Sequence, residues 1–473
     1  MTWPVLRGLR RQYPQAEIHI LTRPRFEAAL EGLEAVDRQW SLPSQHVLEP
    51  LIQEEADVVA ASTRMGEFVQ ALRSENFDWV INFSFSPFSS HLTHAIAEAQ
   101  TRTTGYTRFV DGTFSAGDDL SHYFYAQVGL DKANRVHVTD LFAAMVDVQY
   151  AESDWRGPVY TEASDNELHL PESFIAVHVG ASDAKKALPA STWARALKYY
   201  SKKNPQTHFV LIGSANESSI AEEICSQLPI TQVRNLVGKT SLRDIFTIMN
   251  ATDLFVGCDS GPLHMASLTD TPTLNVSVGD VNFWETGPKA SLAFVYRVNR
   301  IDQIAADRLG EILSQLMAGQ VPSELITRAP GVTSYQRKET AADRFQWDLI
   351  QAIYMGESYP MAERMETLQG AMKLQEINNF AQEQLLMIPE KGIERVAPFL
   401  NRAEEVIQSI SRFVPELCPL VNWYHAEKVR IGPGSSEDVL AATLQVHERF
   451  AQHLRVYIPQ EETIEEEVGD GTL

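Results

Sequence analysis

The chain has 473 residues, 44% of them apolar and 22% charged, and a formal charge of −22. That is enough for two or three domains with buried cores, and no run approaches the roughly 18 apolar residues a membrane span needs. The acidic balance disfavours non-specific nucleic-acid binding, which rests on clustered Lys and Arg. Cys225, Cys258 and Cys418 are far apart with no CxxC pair, which suits a reducing cytoplasm and argues against disulfides or a structural metal.

The first eleven residues read as an amphipathic basic helix, without the apolar core and small-residue cleavage site of a secretory signal. Arg7, Arg10 and Arg11, followed by Arg23 and Arg25, either face an anionic glycolipid or form a solvated helix face. From Pro4 to about Tyr150, helical patterns alternate with β-rich runs, notably Glu17-Ile-His-Ile-Leu21 and Trp79-Val-Ile-Asn-Phe83. This is the rhythm of a parallel sheet flanked by helices. Such a domain normally opens on a buried strand, whereas this sequence starts inside a helix.

A polar stretch from Ala151 to Ser173, with Gly157-Pro158, Ser164-Asp-Asn166 and Pro171 as turn signals, marks a boundary. A second α/β series follows. Strands are expected at Phe174–Val179, His208–Ile212, Leu254–Val256 and Thr273–Val276, and helices at Thr192–Tyr200, Ser218–Leu228, Leu242–Met249 and from about Pro262. Two Rossmann-like halves joined by a linker describe a GT-B arrangement with its ligand in the cleft between them. Beyond about Pro330 the pattern is helical alone, with Met365, Leu368, Met372 and Ile377, then Val406, Ile407, Ile410, Phe413 and Val414, then Val439, Leu440, Leu444 and Phe450 near the spacing of buried faces. The expected organisation is therefore residues 1–155, 172–320, a helical extension over 330–458 and an acidic tail over 459–473.

The most informative stretch is Leu254-Phe-Val-Gly-Cys-Asp-Ser-Gly-Pro-Leu-His-Met-Ala-Ser267. A strand ends, a short Asp-Ser-Gly-Pro turn follows and a helix begins. Gly261 admits close backbone approach, Pro262 suits a first helical position, and the free N–H groups of that helix start favour a phosphate. Ser260 and His264 stand one turn apart, so both can reach one pyrophosphate. The plainer reading is that Asp259 or Ser260 only caps the helix while His264 packs beneath it.

A second loop, Val179-Gly-Ala-Ser-Asp-Ala-Lys-Lys-Ala-Leu-Pro189, leaves a strand with two lysines, of which Lys186 is the better placed to neutralise phosphate. A third stretch, Leu236-Val-Gly-Lys-Thr-Ser-Leu242, imitates the end of a P-loop but lacks the first glycine of that motif. It reads instead as a nucleoside-binding loop whose Thr240 and Ser241 also cap a helix through Asp244.

In this order, together with Ile212-Gly-Ser214 and Glu217, these pieces resemble glycosyltransferase family 9, whose best-known members are heptosyltransferases. Gly279-Asp-Val-Asn-Phe-Trp-Glu-Thr-Gly287 is similar to the family's loop after the last nucleotide-site strand, with Gly279-Asp280 altering its usual turn. Pro4–Pro14 resembles the family's first helix, and the likeness spans about residues 1 to 320. It implies a nucleotide-diphosphate sugar donor, most typically ADP-heptose, and a lipopolysaccharide core acceptor at the inner face of the cytoplasmic membrane. Carried over, Asp259 contacts donor sugar hydroxyls, Ser260, Gly261 and His264 the diphosphate, Lys186 a phosphate, the Thr240 backbone the adenine, and Glu217 or Glu222 the ribose.

The resemblance further implies an inverting displacement, metal-independent because no DxD motif is placed to hold a divalent ion, and it calls for no cofactor. In the family a Gly-Asp pair precedes the first helix, and counting back from Pro4 puts that aspartate, the general base, ahead of Met1. Either the start is assigned too late or the enzyme is degenerate; such a base is worth on the order of 10²–10⁴ in rate. The remaining alternatives are another nucleotide sugar or a protein or capsule acceptor, and a non-catalytic nucleotide-sugar-binding protein.

Overall fold

The computed structural model describes residues 1–160, 168–181, 183, 185–328, 335–336 and 341–458; the acidic tail lies outside them. Its contacts divide the chain into two compact units, Met1–Thr107 with Gly129–Lys338, and Arg108–Val128 with Glu339–Leu473.

The first unit opens on helix α1 (Trp3–Gln12), followed by strands β1 (His19–Thr22) and β2 (Arg38–Ser41), helix α2 (Val58–Arg73), strand β3 (Trp79–Asn82), helix α3 (Pro87–Ile96) and strand β4 (Arg102–Gly105). β1 pairs with β2 and β3 with β4, both in parallel. The single parallel sheet expected here is thus two separate pairs. Side chains bridge them: the rings of His19 and Phe77 meet edge to face at 5.3 Å, and those of Tyr13 and Trp79 at 6.2 Å.

The basic face of α1 is internally engaged. Arg7 is buried and bonds Glu34 and the carbonyls of Asp154, Arg156 and Gly157. Arg10 reaches Asp37, and Arg11 reaches Asp154 and the Gln149 carbonyl. These three guanidiniums tie the helix to neighbouring loops, Arg7 from a buried position and Arg10 and Arg11 from partly solvated ones, 25% and 48% exposed.

Helix α4 (Asp119–Gln127), expected within the N-terminal domain, belongs to the second unit, whereas α5 (Val138–Met145) returns to the first. The second half of the first unit then runs β5 (Phe174–His178), α6 (Ala190–Lys203), β6 (His208–Ile212), α7 (Ser218–Ser226), β7 (Val233–Asn235), α8 (Leu242–Ala251) and β8 (Leu254–Gly257). It continues with α9 (Gly261–Leu268), β9 (Thr273–Val278), α10 (Phe283–Thr286), β10 (Ala293–Val298), α11 (Ala306–Met317), β11 (Ile326–Arg328) and β12 (Tyr335–Gln336).

The strands form one sheet in the order β12-β11-β10-β9-β8-β5-β6-β7, parallel from β7 to β10 and antiparallel at β11 and β12. Alternation along β5 sorts its side chains onto two faces. Ile175 and Val177 pack with Trp193 and Leu197 of α6 and Leu309 and Leu313 of α11. Phe174 and Ala176 pack with Ile245 and Ile248 of α8 and Leu263 of α9. Helices on both faces explain why these strands read as continuous apolar runs.

The second unit contains α4, α12 (Ala341–Met355), α13 (Met365–Leu386), α14 (Ile393–Phe413), α15 (Cys418–Val429) and α16 (Ser436–Leu454). The face predicted for α13 is met in part: Leu368 and Ile377 pack at the edge of the helical core, but Met365 and Met372 are exposed, and the centre of the buried face is Thr367, Gly370, Ala371, Leu374 and Ala381. Small residues decide this. A Cβ on Gly370 would stand 3.1 Å from Leu417 and Val414, tight enough that those side chains would have to give by a few tenths of an ångström, so the glycine eases the approach. Phe413, predicted inside, is likewise exposed, whereas Ile407 and Phe450 are buried as expected. No helix among the described residues is long and apolar enough to cross a membrane.

Candidate functional site

The sheet order reverses between β5 and β8, since β6 lies beyond β5 on one side and β9 beyond β8 on the other. Carboxyl ends of strands at such a switch point diverge and leave a crevice for a ligand. Here β5 delivers His178, β6 delivers Gly213, and β8 leads through Cys258 and Asp259 into α9.

Asp259 is held from two sides. Lys186 Nζ donates to its Oδ2 at 3.1 Å, and Thr286 Oγ1, at the end of α10, donates to Oδ1 at 2.9 Å. Lys186 lies in the loop after β5, as the strand–loop–helix pattern predicted. Ser260 is the N-cap residue of α9 by position, yet its side chain makes no capping bond. Its hydroxyl instead sits 3.1 Å from His178 Nδ1 and donates to the Cys258 carbonyl at 3.0 Å. A helix start without a side-chain cap keeps N–H groups free for another acceptor. An added Cβ at Gly261 would meet no atom within 4 Å, so the space over this start is open.

His264 lies one turn further along α9. Burial, then the α-ammonium of Met1, push its imidazolium down to about 4 against the opposing charge of Asp259, so it is neutral at neutral pH. Burial likewise lowers His178, opposed by Glu217. The Cys258 thiol is pushed up to about 12, chiefly by burial, which makes it inert.

Glu217 closes a short turn (Ala215–Glu217) after β6, accepting the Ser214 N–H at 2.5 Å. Its carboxylate occupies the space that side chains at Gly180 and Gly213 would need. Glu222, the other candidate, is exposed on α7. The Gly238 N–H donates to the Gly213 carbonyl at 2.9 Å, and this pins the loop before Thr240 to the end of β6. Ser241 alone caps α8, through a reciprocal box with Asp244.

The structure therefore brings Lys186, Asp259, Ser260, Gly261 and His264 together around the β5–β8 crevice, with Glu217 beside them at the ends of β5 and β6. Thr240 approaches only through its loop. Sequence reasoning missed His178 and Thr286. A histidine inside the buried run Phe-Ile-Ala-Val-His-Val was the available signal for the first; for Thr286 it was membership of the Gly279–Gly287 loop, which did not single out the threonine.

A parallel sheet of this order, closed by helices and carrying an open helix start at its switch point, together with a preceding α/β half, is the arrangement of the GT-B fold. The family model for glycosyltransferase family 9 (heptosyltransferase) matches residues 65–302, and the chain belongs to that family. It is 23% identical over 312 residues to lipopolysaccharide heptosyltransferase 1 of Campylobacter coli, covering 63% of this chain and 83% of the relative. To lipopolysaccharide heptosyltransferase 3 of Escherichia coli (strain K12) it is 20% identical over 292 residues, covering 60% and 80%. The crystal structure of a family 9 glycosyl transferase from Veillonella parvula DSM 2008 superposes with a TM-score of 0.51 at 16% identity, over 67% of this chain and 93% of that one. That likeness supports the fold.

Proposed function

We propose that this glycosyltransferase moves heptose from ADP-heptose to a lipopolysaccharide core acceptor by inverting, metal-independent displacement. The names of the two relatives supply the sugar and the acceptor. The observation that carries the donor assignment is the pairing of Lys186 with Asp259 beside the uncapped start of α9. In the complex, the diphosphate lies over Gly261, where helix N–H groups and the Lys186 ammonium meet the charge that develops as the nucleotide leaves. Such preorganised electrostatics is usually the largest catalytic contribution.

Asp259, steadied by Thr286, accepts sugar hydroxyls, and Glu217 accepts those of the ribose. Neutral His264 donates one N–H to the diphosphate. The Thr240 backbone meets the adenine. An enzyme of this kind works at the cytoplasmic face of the inner membrane, where its acceptor is presented.

Calorimetric titration with ADP, GDP and UDP tests this reading. ADP is expected to bind selectively, and Lys186→Ala or His264→Ala to weaken it about tenfold to a hundredfold, the range of a charge-assisted hydrogen bond. Preference for GDP or UDP would overturn the donor, and binding of none of the three would overturn the site.

A further inference from the structure

The helical unit holds a cavity of about 520 Å³ between the end of α15, the Ile431–Gly434 loop and α16. Its position in the sequence lies outside the residues matched by the family model. α16 lines it with Asp438, Gln445 and Arg449, spaced so that they share one helix face, and α15 with Glu427 and Arg430.

Glu427 is buried and serves as the internal anchor. Arg449 Nη2 donates to it, Arg430 lies 3.7 Å from it, and His122 of α4 is 3.2 Å away. Arg430 is fixed further by the Gly117 carbonyl at 3.1 Å and Asp119 at 2.9 Å. Arg449 lies over the Trp423 ring at 5.5 Å, and its remaining N–H groups have no hydrogen-bond partner among the described residues. Gly432 lets the loop close on Phe109, whose ring a Cβ would meet at 3.0 Å.

We infer that this cavity is a second binding site, and that its ligand is a neutral sugar. Size permits it, because small-molecule pockets start at about 300 Å³. Charge selects it. Two arginines and two carboxylates line the cavity and cancel, which removes the net positive field an anion would require. Glu427 and Arg430 are engaged internally and Asp438 Oδ2 accepts from Ser435 in the cap of α16, which leaves the remaining Arg449 N–H groups and the Gln445 amide as donors and the Gln445 carbonyl and Asp438 Oδ1 as acceptors on the cavity wall. A sugar hydroxyl both donates and accepts, so a ligand with several hydroxyls matches such a wall, whereas a purely anionic or apolar ligand leaves half of it unpaired. The inference stands apart from the donor reading, because none of these residues belongs to that site.

Saturation-transfer NMR on the full chain with glucose, galactose, N-acetylglucosamine and mannose, with inorganic phosphate and acetate as anion controls, tests it. At least one sugar should bind in the millimolar range typical of a small, weakly held ligand. Arg449→Ala should abolish that signal and Gln445→Ala weaken it severalfold, with ADP titration unchanged in both. If Arg449→Ala lowers the melting temperature, the exposed Gln445→Ala decides. No sugar signal in the unaltered chain, a signal that survives both substitutions, or displacement of the sugar by phosphate would overturn the inference.

Discussion

Lys289 keeps only 4% of its side chain exposed, and its Nζ is paired with a carboxylate. Its Nζ donates to both oxygens of Asp140, at 2.5 and 2.7 Å, and to the Tyr150 hydroxyl at 2.9 Å, while that hydroxyl also bonds Asp140. Its backbone N–H donates to Ser267 Oγ of α9 at 2.9 Å, so one residue links α5 of the first half to the helix that starts at the candidate donor site. Lys289→Met leaves the Asp140 charge without its partner, and breaking a buried pair from one side costs about 3 kcal/mol. The lower end of the usual range applies because Asp140 is 24% exposed. Urea unfolding should register that loss, and the double variant Asp140→Asn/Lys289→Met should recover much of it. Equal losses in the single and double variants would mean that packing of the lysine stem, rather than the pair, supports the fold.

At the scale of elements, the turn after β6 depends on what two strands leave out. A methyl group at Gly180 would overlap the Glu217 carboxylate, so Gly180→Ala should push Glu217 aside and weaken ADP. In a Glu217→Ala background the same substitution should add almost nothing. Calorimetry on the three variants separates this coupling from a general disturbance of the loop, in which the two effects would add. The elements themselves were legible: β6 matches its predicted bounds, and β5, β8, β9, α6 and α8 fall within a few residues of theirs, because strands buried on both faces and amphipathic helices write distinct periods. The Gly261-Pro262 helix start was legible for the same local reason. What escaped were the three-residue strand β7, the longer strand β10, and the centre of the buried face of α13. There Gly370 and Ala371, which carry almost no hydrophobic signal, make the close contact, and the methionines that do carry it are left outside. His178 and Thr286 escaped because only the sheet order and the loop path bring them to Ser260 and Asp259.

Across the first unit, the segment 129–140 and the loop 282–289 join the two halves at several points, and one of them titrates. Glu285 is buried and accepts from the Gly129 N–H and from Asn134 Nδ2, both at 3.1 Å, while Asn282 Nδ2 donates to the Asn134 carbonyl at 2.8 Å and His137 Nε2 lies 3.1 Å from the Gly287 carbonyl. Burial, opposed by those donors, raises the Glu285 carboxyl from 4.5 to about 7. Between these values the folded chain holds a proton that the unfolded chain has released. The unfolded state then binds fewer protons, so this group's contribution to stability falls as pH rises through that window and is constant above it. The slope has a ceiling of about 1.4 kcal/mol per pH unit for one proton. His137 works in the opposite sense, since burial, then Lys289 and His264, hold it below its ordinary value, and its contribution is lost as pH falls below the unfolded histidine range. Comparison with Glu285→Gln isolates the carboxyl from such neighbours. The glutamine variant should be no more stable than the parent near pH 4.5, gain on it steadily up to about pH 7, and keep a constant lead beyond. Chemical denaturation at half-unit pH steps measures this difference, and a lead that does not change with pH would show that Glu285 is ionised in the folded protein throughout.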